Sequence, residues 1–168
     1  MRRLRTRQLP NIVGLGGAVA GLLAGIVMIV LSPLLSVLTG IGIWEPPKLI
    51  AATVLGPAVA STPAFAFGPV VIGGALHLVT SMVLGLIFGI VFNRVLHLTT
   101  DFGTPLLLGL VYGLLIFVLA YAVVLPVVNP LLRNSWLAPL IAQNMVFGIC
   151  LGGFYTLLRP RPYDVIQS

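Results

Sequence analysis

Charged residues are scarce in this chain. Only 7% of its 168 residues are Asp, Glu, Lys or Arg, against about 25% in typical soluble domains. Four runs of 37, 45, 31 and 25 residues contain none of these side chains. A helix needs about 20 apolar residues to cross a bilayer core, so each run is long enough to cross, and the sequence predicts an integral membrane protein. The runs occupy residues 8–44, 49–93, 102–132 and 134–158.

Acidic residues and cysteine are scarcer still. The chain has three acidic residues, all near the predicted membrane surfaces, so no pair of carboxylates is available for acid–base catalysis. The single cysteine, Cys150, excludes an intramolecular disulfide and, by ligand count, a structural zinc site. His77 and His97 would lie about 30 Å apart on one helix, which is too far for one metal ion. We therefore predict no enzymatic activity and no metal site.

Basic residues gather on one side of the predicted spans. Seven would lie on that side, and only Lys48 and Arg133 on the other. An excess of Lys and Arg in short loops marks the cytoplasmic side. We therefore predict a multi-pass protein of the cell inner membrane with both termini in the cytoplasm. The basic residues are not clustered with stacking aromatics, so nucleic acid is not an expected partner. The seven are Arg2, Arg3, Arg5, Arg7, Arg94, Arg159 and Arg161.

The predicted fold is all-α, a polytopic membrane protein with four transmembrane helices. The membrane domain covers residues 10–159, with a basic cytoplasmic tail at 1–9 and a second cytoplasmic tail at 160–168. The first apolar run is far longer than the 7–15 residues of a signal-peptide core, so we predict a span there rather than a cleaved leader. The four spans cover about residues 11–38, 70–95, 104–125 and 137–158.

The segment of about residues 44–68, between the first two spans, is apolar but rich in proline. We predict a short interfacial helix over 47–55 that begins on Pro47, because proline is favoured at the first helical position. An irregular apolar loop over 57–68 should follow. Lipid does not accept backbone groups without partners, so the segment should lie at the outer interface or be covered by protein. A lid over the helices and a docking surface for a partner are both open.

Glycines recur every four residues in the predicted spans, which places them on one stripe of each helix. Stripes of small residues let apolar helices approach closely in lipid, so we predict a glycine zipper. The stripes would pack the four helices together, or one of them would pack against another subunit. The stripe residues are Gly17, Gly21, Gly25, Gly85, Gly89, Gly109, Gly113, Gly148 and Gly152.

The two halves of the chain resemble each other. Four residues of the second span recur in the fourth span, 63 positions further on. Two helical hairpins of the same orientation would form a parallel repeat about an axis along the membrane normal. Apolar helices also match by chance, so a repeat and a coincidence are both open. The matching residues are Met82, Val83, Gly85 and Gly89, which correspond to Met145, Val146, Gly148 and Gly152.

Seven polar residues share an estimated depth, about two helical turns below the predicted outer surface. Polar groups inside a membrane are costly and often mark function. We expect these residues to form interhelical hydrogen bonds. The alternatives are a small-ligand site for a quinone or lipid head group, and His77 as the axial ligand of a haem or chlorophyll-type pigment. Otherwise no cofactor is predicted. The layer comprises Ser32, His77, Thr80, Ser81, Tyr121, Gln143 and Asn144.

The sequence favours a non-catalytic structural or accessory subunit of a larger membrane complex, such as one of electron transport. Small size and glycine-rich spans are typical of such subunits. A small oligomeric transporter or channel, and a quinone- or lipid-binding membrane protein, are the alternatives. The expected partners are membrane lipids and either other membrane subunits or copies of the chain itself.

Overall fold

A computed structural model describes residues 12–61, 63–92, 103–135 and 137–158, and all regular structure in these ranges is helical. The predicted tails, the end of the second predicted span and His97 lie outside them. The long helices are α1 (Ile12–Leu38), α3 (Phe67–Ile90), α4 (Gly103–Leu119) and α7 (Leu137–Leu158). The shorter elements are α2 (Glu45–Leu55), a 3-10 helix (Pro57–Ala60), a π-helical turn (Ala120–Val124), α5 (Leu125–Val128) and α6 (Pro130–Ser135).

In the described part of the chain, four helical stretches are long and apolar enough to cross a membrane. The chain is therefore an all-helical multi-pass membrane protein, as its composition predicted. The third stretch extends past the predicted end at residue 125, because the helix continues through Pro126. Proline lacks an N–H and crowds the carbonyl four residues earlier, and the π-helical turn before it accommodates this local break in the hydrogen-bond pattern. The stretches are Gly14–Leu38, Phe67–Ile90, Gly103–Val128 and Pro139–Leu158.

Prolines also sit in the first turns of two helices. α3 begins at Phe67, so that Pro69 lies in its first turn, whereas the predicted second span began at residue 70. α2 begins at Glu45 rather than at Pro47 and holds two prolines in its first turn. The first amides of a helix have no intrahelical acceptor, so proline there removes no hydrogen bond.

The spans form two helical hairpins. α1 packs along α3, which we call hairpin 1, and α4 packs along α7, which we call hairpin 2. The hairpins meet through α1 and α7. α2 packs against α3 and touches α6 at one end of the bundle. We call this end, which carries α2, α5 and α6, the capped end.

A buried aromatic cluster joins the hairpins away from the capped end. Phe88, Phe92 and Tyr155 pack with ring centroids between 5.3 and 5.8 Å apart. Tyr112 of hairpin 2 packs on Phe88, and its hydroxyl donates a hydrogen bond of 2.9 Å to the carbonyl oxygen of Leu84. Aromatic rings supply much of the buried apolar area in such a core, so this region holds the two hairpins together.

One side chain ties the two connections at the capped end. Asn129 is buried, and its amide nitrogen donates to the carbonyl oxygen of Leu49 at 2.7 Å and to the hydroxyl of Thr53 at 2.8 Å. Its amide oxygen accepts the backbone N–H of Leu132 at 3.1 Å, which caps the start of α6. Asn129 thereby links α2 of hairpin 1 to the connection between α5 and α6 in hairpin 2.

The loop after the 3-10 helix is held onto α2. Lys48 is fully buried, and its ammonium nitrogen donates to the carbonyl oxygen of Ala64 at 3.1 Å. The ring of Trp44 packs edge-on against Phe65, with centroids 4.8 Å apart. Phe65 and Phe67 nevertheless stay largely exposed, at 55% and 72%. The loop therefore covers Lys48 and presents an apolar outer surface.

Candidate functional site

A cavity of about 370 Å³ lies between the two hairpins, next to the capped end. Residues of α1, α3, α4 and α7 form its walls, and residues of α2, α5 and α6 close it toward the capped end. Met28 and Phe147 belong both to the cavity lining and to the buried core, so the core forms the floor. The hairpins are joined at the core, and the cavity occupies the space between them on the side of the core that faces the capped end.

Six of the seven residues of the predicted polar layer line this cavity. The structure thus brings together residues of three helices that the sequence placed only at a common depth. Tyr121 is the exception: its ring stacks on Phe117 with centroids 5.6 Å apart and lies 5.3 Å from the guanidinium carbon of Arg133. The six are Ser32 on α1, His77, Thr80 and Ser81 on α3, and Gln143 and Asn144 on α7.

Two of the six make hydrogen bonds to protein carbonyls. The Nε2 atom of His77 lies 3.2 Å from the carbonyl oxygen of Gly25, which links α3 to α1. The amide nitrogen of Asn144 donates to the carbonyl oxygen of Leu140, one turn earlier on the same helix, at 2.8 Å. Among the residues that the structure describes, His77 is thus the one member of the layer with the expected interhelical hydrogen bond.

The other four side chains make no hydrogen bond to any residue that the structure describes. They are Ser32, Thr80, Ser81 and Gln143. Ser81 is 3% exposed and Gln143 is half-buried, so neither projects freely into the surroundings. The hydrocarbon region supplies no water to such groups, and polar groups left there without partners are costly. These side chains are available to a molecule in the cavity.

The rest of the lining is mostly apolar. Within the described part of the chain it contains no Asp, Glu, Lys or Arg, and His77 is its only titratable side chain. Burying an unpaired charge costs far more than burying a neutral polar group. The cavity is thus suited to a neutral molecule. No group of three or more His, Cys, Asp or Glu residues that could hold a metal ion occurs among the residues described.

Sequence reasoning missed the contribution of α2 and of proline. Trp44 and Pro47 line the cavity, although both were assigned only to the outer segment. Pro33 on α1 also lines it, one residue after Ser32. A proline inside a long apolar helix, next to a polar residue, could have indicated the cavity, because Pro33 lies at the same depth as the polar layer. The packing of α2 over the cavity had no comparable signal in the sequence.

The stripe glycines of hairpin 1 lie where α1 and α3 touch. A Cβ atom on Gly17 would collide with the carbonyl oxygen of Gly85 and lie 3.0 Å from the Cα atom of Gly89. A Cβ atom on Gly21 would lie 2.8 Å from the Cα atom of Gly85. One on Gly25 would lie 2.7 Å from the side chain of Ser81. The two backbones are therefore too close for larger residues.

The glycines of hairpin 2 lie in the same way between α4 and α7. A Cβ atom on Gly109 would collide with the carbonyl oxygen of Gly148 and lie 3.1 Å from the Cα atom of Gly152. One on Gly113 would lie 3.2 Å from the Cα atom of Gly148. Each hairpin is thus tightly packed at its glycines, whereas the cavity lies between the two hairpins.

Comparison with known proteins supplies no analogy for this cavity. No protein-family model, no curated protein and no solved structure matches the chain.

Proposed function

We propose that the protein is a non-enzymatic membrane protein that binds a small neutral amphiphile, such as a lipid or a quinone, in the cavity between its hairpins. One observation carries the proposal: six polar residues of common depth converge on one cavity, and four of them have no partner in the described chain. A polar head group among them would satisfy groups that lipid cannot. The volume of 370 Å³ falls in the range of about 300–1,000 Å³ that is usual for ligand sites.

The floor of the cavity favours binding over conduction. Phe88, Phe92, Phe147 and Tyr155 are almost completely buried in the core cluster. A channel needs a continuous path between the hairpins, and this cluster fills the space on the far side of the cavity. A molecule that enters would therefore be held in one half of the bundle.

The capped end is proposed to face the outside of the cell inner membrane, with both termini in the cytoplasm. The asymmetry of Lys and Arg supports this orientation. The cavity would then lie in the outer half of the bilayer. A lipid or quinone would enter it from the outer leaflet, and membrane lipids are the first partners to consider.

The two hairpins are further proposed to be a parallel repeat packed by a glycine zipper. The close approaches in hairpin 1 have counterparts in hairpin 2 at the positions that the sequence match pairs. Matching contacts between matching residues are a stronger argument than sequence identity alone, since apolar helices share residues by chance. In this arrangement Gly17 meets Gly85 and Gly89 as Gly109 meets Gly148 and Gly152.

A role as an accessory subunit of a larger membrane complex is a second candidate. Its support is the exposed apolar surface at the capped end, formed by Val54, Leu55, Phe65 and Phe67. These four residues lie at the capped end, beyond most of the lipid-facing surface of the spans, so a partner subunit is the proposed cover for them. A stoichiometric partner that co-purifies in mild detergent, and is lost when Phe65 and Phe67 are replaced by serine, would favour this role. A lone homo-oligomer would instead favour the transporter or channel alternative.

Trp44 provides a reporter for ligand binding because it lines the cavity. The chain has two tryptophans, so a Trp136→Phe variant leaves Trp44 as the only one. We expect a bromine-labelled monoacylglycerol to quench its fluorescence saturably in phosphatidylcholine nanodiscs. Quenching requires contact between the bromine and the indole, so saturation reports occupancy of a site rather than mixing with the bilayer.

Two leucine variants of α3 form a matched pair for this experiment. A Cβ atom at Gly74 or at Gly68 would meet no atom within 4 Å, but only Gly74 lines the cavity. Gly74→Leu should weaken saturable quenching at least about tenfold, because its side chain takes up ligand volume. Gly68→Leu should bind as the parent does. Quenching that rises linearly with the probe and is equal in both variants would contradict the proposed function.

A further inference from the structure

We propose that the cavity selects an amphiphile whose head group donates hydrogen bonds, such as an alkylated quinol, over one that only accepts them, such as the matching quinone. This inference rests on the proposed binding function and specifies its ligand. It follows from the hydrogen-bonding roles that the protein has already fixed for the polar side chains of the lining.

His77 is fixed as an acceptor toward the ligand. A carbonyl oxygen can only accept a hydrogen bond, so the contact of 3.2 Å with the carbonyl of Gly25 requires a proton on Nε2. In the neutral imidazole the other ring nitrogen, Nδ1, then carries a lone pair and no proton. His77 therefore offers an acceptor to the cavity as long as it is neutral.

Asn144 is fixed in the same sense. The carbonyl oxygen of Leu140 accepts from the Asn144 side chain, which identifies the contacting atom as the amide nitrogen. The amide oxygen makes no hydrogen bond to any described residue. A second acceptor thus lines the cavity, on α7, opposite the hairpin that carries His77.

Pro33 adds a backbone acceptor on α1. Proline has no N–H, so the carbonyl of Ile29, four residues earlier, lacks its usual intrahelical donor. Both Pro33 and Ile29 line the cavity. α1 thus adds a carbonyl without its usual helical donor to the side-chain acceptors on α3 and α7.

The remaining polar side chains of the lining do not cancel this excess of hydrogen-bond acceptors. The hydroxyls of Ser32, Thr80 and Ser81 and the amide of Gln143 can each donate or accept. They adapt to either kind of head group, whereas His77 and Asn144 cannot. A quinone would leave both fixed acceptors without a donor, and a quinol can supply two. Because a buried acceptor without a donor is costly, the quinol should bind more tightly.

Competition against the bromine-labelled monoacylglycerol tests the preference. The competitors are a decyl benzoquinol under anaerobic conditions, the matching quinone and the dimethyl ether of the quinol, which keeps the ring but cannot donate. We expect the quinol to displace the probe at concentrations about tenfold lower than either of the others, the factor that corresponds to about 1.4 kcal/mol. Displacement by the quinone or the ether at the same concentration as the quinol would overturn the inference.

Variants show which atoms carry the preference. In Asn144→Ala the preference for the quinol over the quinone should fall from about tenfold to about threefold, because one of the two fixed side-chain acceptors is gone while His77 remains. The seam with α4 uses the backbone of Asn144, which meets Gly113, so the fold does not depend on this side chain there. A full tenfold preference in that variant would contradict the assignment of Asn144, and the dimethyl ether tests the inference in the parent protein without any substitution. Absence of saturable probe binding would reject the proposed function itself, which distinguishes the two failures.

Discussion

Two glycines of α3 differ in whether their surroundings have room for a side chain. Gly85 faces α1, where a Cβ atom would lie 2.6 Å from the Cα atom of Gly21. Gly74 lies about three turns earlier on the same helix, and a Cβ atom there meets nothing within 4 Å. The first position requires glycine because of the neighbouring backbone, whereas the second tolerates a larger residue.

Alanine at these two positions should therefore have opposite effects on stability. Gly85→Ala should cost about 1–3 kcal/mol, because neither α1 nor α3 can move without opening their contact. Gly74→Ala should leave stability unchanged or raise it by up to about 1 kcal/mol, since alanine favours a helix over glycine. Thermal unfolding in a mild detergent measures both. If Gly85→Ala matches the parent, the close packing of α1 against α3 does not limit stability.

The short helices α2 and α6 contact each other at the capped end although they lie far apart in the sequence. Neither α2 nor α6 is long enough to be stable by itself, since isolated helices below about 12–15 residues are marginal in water. Asn129 supplies donors to α2 and an acceptor to the start of α6. The Asn129 amide therefore ties the two parts of the cover to each other, in addition to the packing of α2 on α3.

Two substitutions separate the roles of this amide. Asn129→Ala removes the donors and the cap, and should lower the free energy of unfolding by about 1–3 kcal/mol. Asn129→Asp keeps a cap acceptor but sets a carboxylate against the carbonyl of Leu49, so it should destabilise at least as much. Thermal unfolding again provides the measurement. An aspartate variant as stable as the parent would mean that capping α6, and not the link to α2, is what matters.

The sequence predicted the elements better than it predicted their faces. Long uncharged runs predicted four helices long enough to cross a membrane, and the described part of the chain has four such helices. The sequence did not predict that the helical stretch beginning with α4 continues through Pro126 into α5, because the compensating π-helical turn depends on backbone geometry. A π-helical turn inserts an extra residue into the helix and so shifts the faces that follow it, which is one reason why the direction of Tyr121 could not be predicted.

The candidate site was predictable in depth and not in shape. Uniform apolar surroundings give these helices almost no amphipathic pattern, so the sequence does not indicate which side of α3 or α7 faces inward. His77 and Gln143 could have pointed to lipid, and only the packing of the hairpins places both on the cavity. Trp44 lines the cavity because α2 packs over it. No local pattern in the sequence predicts that packing.

At the scale of the whole molecule, the distribution of Lys and Arg between the two ends of the bundle predicts the orientation of the protein in the membrane. Seven basic residues lie on the side opposite the capped end by the predicted topology, and two lie at the capped end. The rule that assigns the basic side to the cytoplasm acts on short loops and tails, and all loops here are short. The termini are therefore expected inside.

Reporter fusions test this orientation. Green fluorescent protein fused after Ser168 should fluoresce, and alkaline phosphatase fused at the same point should be inactive, because both would be cytoplasmic. Alkaline phosphatase inserted after Ser61, an exposed residue at the capped end, should be active. The reverse pattern of reporter activity would contradict the predicted orientation and would mean that the cavity lies in the inner leaflet.

The burial of Lys48 changes what the capped end presents to its surroundings. Its ammonium group is covered by the loop that contains Ala64, and Arg133 is half-buried beside the ring of Tyr121. These are the two basic residues that the sequence assigns to this end. Anionic phospholipids therefore have little to bind there, and that end of the molecule should be surrounded by zwitterionic or uncharged lipids.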